Sequence, residues 1–390
     1  MTEPFKPTAT ELLTTNAFSQ PRHSGQHALP LRVGSESIGW GILGTGERAH
    51  RVVQEAIRKQ PPLAPDLAAT WAVGVYSHSD QRAKQFAQDL YLPHSFTNLA
   101  DLLQRREIQC IYVASHPRHH FPLVMASLSA GKHVLCEMPL ALSIEEAQTM
   151  KLAAEHRGLL LGVGHQLRAE PAVRQLRHSL ADQLIGDLLG GRITNTTPLA
   201  RHQQSWRLQP TAGGVLRNRM PHAIDLLAYL LQDEVKSVYA TASPQLLGEG
   251  GDRAVEEDVQ SFITLRSSQL TIQLHDSFFL PHMPTMFELY GTRGTLQIQH
   301  WADQSRQSRL FLIRNHQSER QPIPPGDADR QLIASFVQAV HRRQESHDSS
   351  GQSLLATAEA GIRSLQVALA AQQSVQTGHV VHVKSLEART

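Results

Sequence analysis

Two glycines one residue apart, Gly44 and Gly46, follow the apolar run Ile38–Leu43 and precede a segment whose apolar residues, Val52, Val53, Ala56 and Ile57, recur at helical spacing. Strand, tight turn and helix in that order can bind an anion: Gly44 lets the chain turn sharply, Gly46 lets the backbone approach a pyrophosphate, and Thr45 lies between them. The unpaired N–H groups and the positive dipole end of the helix would meet the charge. Ala49 supplies the small residue that close helix–strand packing requires. Taken alone, a Gly-x-Gly turn after a strand can be only a turn. Where the second strand would end, the chain reads Tyr76-Ser77-His78-Ser79-Asp80-Gln81-Arg82, with no acid at the tip to bond a ribose 2′-hydroxyl. Ser77, His78 and Arg82 suit a 2′-phosphate instead, which favours NADP over NAD; a polar loop without ligand contact is the competing reading.

Between residue 38 and about 164, short apolar strands alternate with helices, the pattern of a parallel sheet covered on both faces. Strands are expected at 38–43, 69–76, 110–115, 133–136 and 159–163, and helices at Gln81–Leu90, Asn98–Arg105, His119–Ala130 and Ser143–Arg157. Ser143 and Glu146 make a capping box for the last helix, and Gly131 is placed to end the one before it. The predicted fold is α/β: an N-terminal Rossmann dinucleotide-binding domain over 37–164, then an α+β domain over 165–390 with a mostly antiparallel open sheet. Helices over Pro171–Leu184 and Gly214–Leu231 open the second domain. Period-two runs follow at Val238–Ser243, Val259–Leu265, Leu270–His275, Thr285–Tyr290 and Thr295–Gln299, the last two joined by a Gly291–Gly294 turn. One face of such a sheet packs on helices and the other on a partner subunit. Helices at about 328–343 and 353–375 and a strand at His379–Val383 close the chain.

A length of 390 residues exceeds one core and predicts two domains, or three. With 41% hydrophobic and 18% charged residues, a net charge of +2 and no basic block, neither nucleic acid nor an anionic membrane is indicated, and the expected partner is a small molecule. Cys110 and Cys136 each lie in an apolar run, which fits a reducing compartment; neither has the neighbours of a metal site. Residues 1–36 lack the apolar core of a signal peptide and no run is long enough to span a bilayer, so the expected location is cytoplasmic. The polar leader reads as a flexible arm, or as one that wraps a neighbouring subunit.

At Ala130-Gly131-Lys132-His133-Val134-Leu135-Cys136-Glu137-Met138-Pro139-Leu140-Ala141 the sequence resembles the Gfo/Idh/MocA family of NAD(P)-dependent oxidoreductases, which act largely on sugars, inositols and related polyols. The resemblance extends from Ile38 to about Val383. It takes in the glycine turn, the Ile111–Ser115 strand with His120 beyond it, Arg168 with Pro171, Gly213-Gly214 followed by His222 and Asp225, Glu257-Asp258-Val259, and the Tyr290–Gly294 turn. It implies a homodimer or homotetramer and a cofactor bordered by Ser115, His116, His120, Glu137 and Met138. It places Arg168 and Asp225 towards the substrate, and Trp206 too unless that ring packs in the core or a loop; Arg219 joins them only if it faces the pocket.

Departures from the family pattern cluster at one place. Met138 stands where relatives usually carry a lysine that contacts cofactor and substrate, and it offers neither charge nor proton. Asn218 stands where relatives carry an acid four residues before the catalytic histidine; it can bond substrate or orient an imidazole, but cannot stabilise an imidazolium as a carboxylate does. His222 is the retained member of that set and the expected acid/base, with Asn218 beside it on one helix face. Pro221 is expected to bend or break that helix. If Arg217 and Arg219 face the pocket they favour an acidic substrate, such as a sugar acid or phosphate; if they are solvated surface groups they do not. Two functions follow: an NADP-preferring oxidoreductase working through His222, or a non-catalytic sensor or scaffold that binds dinucleotide or sugar.

Overall fold

The computed structural model describes residues 37–57, 69–210, 212–243, 255–280, 282–302, 307–344 and 354–385. The expected leader arm over 1–36 lies outside them. Strand β1 (Ile38–Leu43) is buried at all six residues, as a parallel strand covered on both faces must be. It is joined by β2 (Thr70–Tyr76), β3 (His94–Phe96), β4 (Cys110–Val113), β5 (His133–Cys136) and β6 (Leu161–Val163) in the parallel order β6-β5-β4-β1-β2-β3. Helices α1 (Glu47–Val52), α2 (Asp80–Asp89), α3 (Leu99–Leu103), α4 (His120–Ser129) and α5 (Ile144–His156) make the crossovers. The order reverses between β1 and β4, so the loops leaving these two strands diverge and open a crevice at their carboxyl ends. Strand β3 escaped the sequence reading because its three half-buried residues carry no alternation to count.

The predicted capping box holds in modified form. Ser143 Oγ accepts from the Glu146 N–H at 3.2 Å, while the Glu146 carboxylate reaches the N–H of Leu142 at 3.2 Å. Both cysteines are buried in β4 and β5.

The second half contains α6 (Pro171–Ala181), β7 (Leu188–Asn195), α7 (Gln204–Arg207), α8 (Val215–Asn218), α9 (Met220–Leu231), β8 (Val235–Ala242), β9 (Asp258–Leu265), β10 (Thr271–Ser277), β11 (Met286–Gly291), β12 (Gly294–Gln299), β13 (Arg309–Arg314) and β14 (Gln317–Gln321). After α10 (Ala328–Gln344) come β15 (Ala356–Thr357), α11 (Ala358–Thr377) and β16 (Val381–His382). The second sheet runs β14-β13-β12-β11-β7-β10-β9-β8-β16, with only β7 and β10 parallel. Three of its strands, β7, β13 and β14, went unread. For β13 a signal existed: Leu310 and Leu312 alternate between arginines, and the hairpin that follows turns at Asn315 and His316, both at positive φ. Among the described residues no helix is long and apolar enough to cross a membrane.

Two expectations are corrected. The helix expected over Gly214–Leu231 is two helices: α8 ends at Asn218, Arg219 departs to φ −123°, and α9 restarts with Pro221 in its first turn, where a missing N–H leaves no hydrogen bond unmade. The boundary at 164/165 fails for 328–357. Leu332, Ile333, Phe336, Val337 and Val340 of α10 share a core with Trp40 and Ile42, and β15 pairs antiparallel with β6. The first sheet needs apolar cover on the face beside β1, and a late helix supplies it. The last helix then ties both domains together, with Ile362 and Leu365 in the first core and Val367 and Ala368 in the second.

Candidate active site

A cleft of about 980 Å³ opens at the carboxyl ends of the first sheet. Its floor is the predicted glycine turn, Gly44, Thr45 and Gly46. Gly44 sits at φ +121°, and a Cβ there would lie 2.5 Å from the carbonyl oxygen of Ala114, so no side chain fits. A Cβ on Gly46 would meet nothing within 4 Å and would project into open space beside the first amides of α1. That is the cradle a pyrophosphate requires.

At one end, the tip of β2 brings Ser77, His78 and Arg82 to the cleft wall. Ser79 caps α2 by accepting from the Arg82 N–H at 3.4 Å, and the Tyr76 hydroxyl lies 3.2 Å from His78 Nδ1. His119, unread from sequence, lines the wall too, its ring 5.8 Å from that of His78. Further along are Ser115 and His116 after β4, and Glu137 and Met138 after β5. The His116 ring lies 4.7 Å from that of Trp206, tilted by 56° to it, and the second domain contributes the tryptophan. Burial, then Arg118, pushes the His116 imidazole down to about 4. Glu47 crosses the cleft to His202 at 2.9 Å and Gln203 at 3.2 Å.

At the other end Asn218 and His222 line the cleft together, although they sit on different helices on either side of the break at Arg219 rather than on one helix face. The Asn218 amide donates to the Gly214 carbonyl at 2.8 Å. His222 is half-buried; its Nδ1 is sealed with no partner, which leaves Nε2 as the ring nitrogen that reaches the cleft. Burial pushes its pKa down to about 3, helped by His165, whose ring stands edge-on at 5.8 Å. The positive end of α9 acts in the same direction. His222 is therefore neutral at pH 7.

Four residues assigned to ligands from sequence, and Arg217 with them, do not line the cleft. His120 is buried, with Nδ1 2.8 Å from the Pro139 carbonyl and Nε2 3.1 Å from that of Ser115, so it holds the loops after β4 and β5 rather than a ligand. Arg168 and Asp225 form a buried bidentate pair at 2.8 and 2.6 Å, and Asp225 lies 3.7 Å from His165 Nδ1. Arg219 bonds Asn195 at 3.0 Å and the Thr197 carbonyl, and covers the Phe278 ring at 5.1 Å. Arg217 turns to the Leu142 carbonyl and Gln372. Each of these groups is buried or half-buried with polar partners of its own, so the arginines no longer argue for an acidic substrate.

The sequence reading missed Arg48. Its Nε lies 2.7 Å from Glu137 and its Nη1 2.5 Å from Asp329 of α10, while Glu137 also accepts from the buried Tyr112 hydroxyl at 2.5 Å. No local pattern could have found a contact spanning 281 residues.

Burial also lowers the pKa of His120 and of His165. In the unfolded chain all three histidines protonate near 6.5, while the native state resists the proton, so stability is full above pH ~6.5 and declines as the pH falls, for His222 down to about 3. Urea unfolding at pH 7.5 and at pH 5 should show the lower midpoint at pH 5. The double variant His165→Phe/His222→Phe should flatten that slope; an unchanged slope would remove these residues as its cause.

Residues 38–165 match the family model described as oxidoreductase family, NAD-binding Rossmann fold, and residues 173–297 match that of the GFO/IDH/MocA C-terminal domain. A 1,5-anhydro-D-fructose reductase from Ensifer adhaerens is 30% identical over 349 residues, covering 89% of this chain and 98% of the relative. The chain belongs to the Gfo/Idh/MocA family. As a Gfo/Idh/MocA member it is an NAD(P)-dependent oxidoreductase. Two solved Gfo/Idh/MocA-like structures share the fold: aldose-aldose oxidoreductase from Caulobacter crescentus, complexed with glycerol (TM-score 0.77, 18% identity, 89% of this chain and all of that one), and an inositol dehydrogenase homolog from Azotobacter vinelandii, complexed with NADH and myo-inositol (TM-score 0.75, 18% identity, 89% and 98%).

Proposed function

We propose that this protein is an NADP-preferring oxidoreductase that interconverts a hydroxyl and a carbonyl on a sugar or related polyol. The observation that carries the proposal is a neutral imidazole, His222, in the same cleft as the glycine cradle. The cofactor, when bound, supplies the hydride acceptor or donor. Gly44, Thr45, Gly46 and the start of α1 hold its pyrophosphate. Ser77, His78 and Arg82 face its 2′-phosphate, and Ser115, His116, Glu137 and Met138 border its nicotinamide half. Asn218 bonds the substrate, Trp206 walls the reacting end, and His222 Nε2 takes the hydroxyl proton in oxidation or passes one back in reduction.

The relatives described above are named for redox reactions on sugars and polyols, which supports catalysis over the sensor or scaffold reading. The test is turnover, followed at the nicotinamide absorbance, with 1,5-anhydro-D-fructose and aldoses against NADPH and with myo-inositol against NADP⁺. No turnover with the whole panel would count against it. The second sheet leaves Tyr239 and Phe262 exposed, which supports a homodimer through that sheet, and two buried thiols suit the cytoplasm.

Arg82 tests the cofactor preference. A guanidinium–phosphate contact contributes roughly 1.5–3 kcal/mol, so Arg82→Glu should weaken NADPH binding by at least ~10-fold, with NADH changed by less than about threefold. Equal effects on both cofactors, by calorimetry, would reject the 2′-phosphate role.

A further inference from the structure

Buried polar atoms in a folded protein almost always have a partner, so an amide that is removed from water, unpaired and set in a ligand cleft points to what the cleft holds. Gln166 is such a group. It is only 6% exposed, it lines the cleft together with Met138, Asn218 and His222, and its Oε1 has no hydrogen-bond partner among the described residues. Its backbone is fixed from two sides. On one side β6 leads into it past Gly164, whose N–H donates to the Cys136 carbonyl at 2.8 Å. A Cβ on Gly164 would lie 2.8 Å from the Glu137 carboxylate, so the chain runs tight against the turn that carries Glu137 and Met138. On the other side, Arg168 of the same short turn, Gln166–Ala169, is clamped to Asp225, one turn of α9 beyond His222. Between these anchors His165 sets its ring 5.8 Å from that of His222. Leu167 and Ala169 are buried, so the turn is held and the Gln166 side chain is what it presents to the cleft. The terminal torsion of an amide is broad and two-fold, and with no bond to break at Oε1 the group can offer either its carbonyl or its NH2.

The neighbouring groups restrict what such an amide reads. Asn218 commits its NH2 to the Gly214 carbonyl at 2.8 Å, which leaves Oδ1 as its remaining acceptor, and the imidazole of His222 is neutral at pH 7. A ligand group that meets acceptors as well as an amide must donate and accept. A hydroxyl does both, whereas a carboxylate or phosphate only accepts. We propose that Gln166 is a specificity residue that reads a second, non-reacting hydroxyl of the sugar. The inference rests on the oxidoreductase reading above. A site built to bond a hydroxyl discriminates against the analogue that lacks it, because the buried amide is then left unpaired.

The probes are 1,5-anhydro-D-glucitol and its monodeoxy analogues, titrated calorimetrically into the NADPH-loaded protein; a polyol and a reduced cofactor cannot react, so only binding is read. In the parent at least one deoxy analogue should bind about 10-fold or more weaker than the full polyol. Gln166→Met keeps the length of the side chain and removes the amide. In this variant the same ratio should fall to within about threefold, while the Kd for NADPH stays within about threefold of the parent and reports that the protein is folded. Lost packing alone would weaken the polyol and its deoxy analogues alike and leave the ratio unchanged. The inference is overturned if the ratio survives in Gln166→Met, or if the parent binds the polyol and every deoxy analogue alike, or if the polyol does not bind. A 10-fold loss of NADPH affinity with the ratio intact also overturns it, and assigns the amide to the nicotinamide carboxamide. Turnover of the sugar panel separates this result from the function beneath it. If sugars are turned over and the ratio survives, only the inference fails. If none is turned over, yet binding is deoxy-sensitive through Gln166, the oxidoreductase reading fails and the hydroxyl subsite stands.

Discussion

His222→Ala is expected to lower kcat by about 10²–10⁴-fold, the usual contribution of a positioned general base, while the Kd for NADPH changes by less than about threefold. The split follows from placement. His222 lies at the end of the cleft shared with Asn218 and Met138, away from the Ser77, His78 and Arg82 cluster that would hold the far end of the cofactor. Because Nδ1 is sealed and only Nε2 reaches the cleft, exogenous imidazole should rescue the alanine variant in part, at a rate that rises with imidazole concentration. Steady-state kinetics with NADPH titrations decides. Activity equal to the parent would remove His222 from the mechanism, and a parallel collapse of NADPH affinity would reassign it to cofactor binding.

Asp225→Ala should be the most destabilising single change near the site, by about 3–5 kcal/mol, because it leaves the Arg168 guanidinium buried without its carboxylate. Burial pushes the Asp225 carboxyl up, but His165 and Arg168 together hold it below its ordinary value, so the pair is ionised through the neutral range. The double variant Arg168→Met/Asp225→Leu should recover most of the loss, since a well-packed apolar pair of similar volume removes the uncompensated charge. Urea denaturation of the three proteins is the measurement. If the single variant unfolds at the parent's midpoint, the pair is dispensable to stability.

Local pattern was enough for much of this molecule. The apolar run before Gly44, its glycine spacing and the alternation of strands with helices up to Val163 specify a parallel sheet, because a strand covered on both faces needs a continuous apolar run and a tight turn needs Gly at positive φ. Those constraints act within a few residues and are therefore written locally. Motif resemblance carried Asn218, His222, Glu137 and Met138 into one site, and the cleft does contain all four.

The charges around that site were decided elsewhere. Arg168, Asp225 and Arg219 had the residue types of ligand contacts, yet the fold gives each a buried or half-buried polar partner, and a polar group removed from water must be satisfied before it can serve a substrate. Pro221 signalled a helix disturbance, but only packing made it the start of a new helix that returns His222 to the cleft. The sequence by itself determined the glycine turn and, β3 apart, the parallel strands of the first sheet that alternate with helices. The tertiary structure alone decided the partners of the cleft residue Arg48, which is held by an aspartate 281 residues away on a helix recruited to cover the first sheet, because neither propensity nor periodicity encodes a partner at that distance.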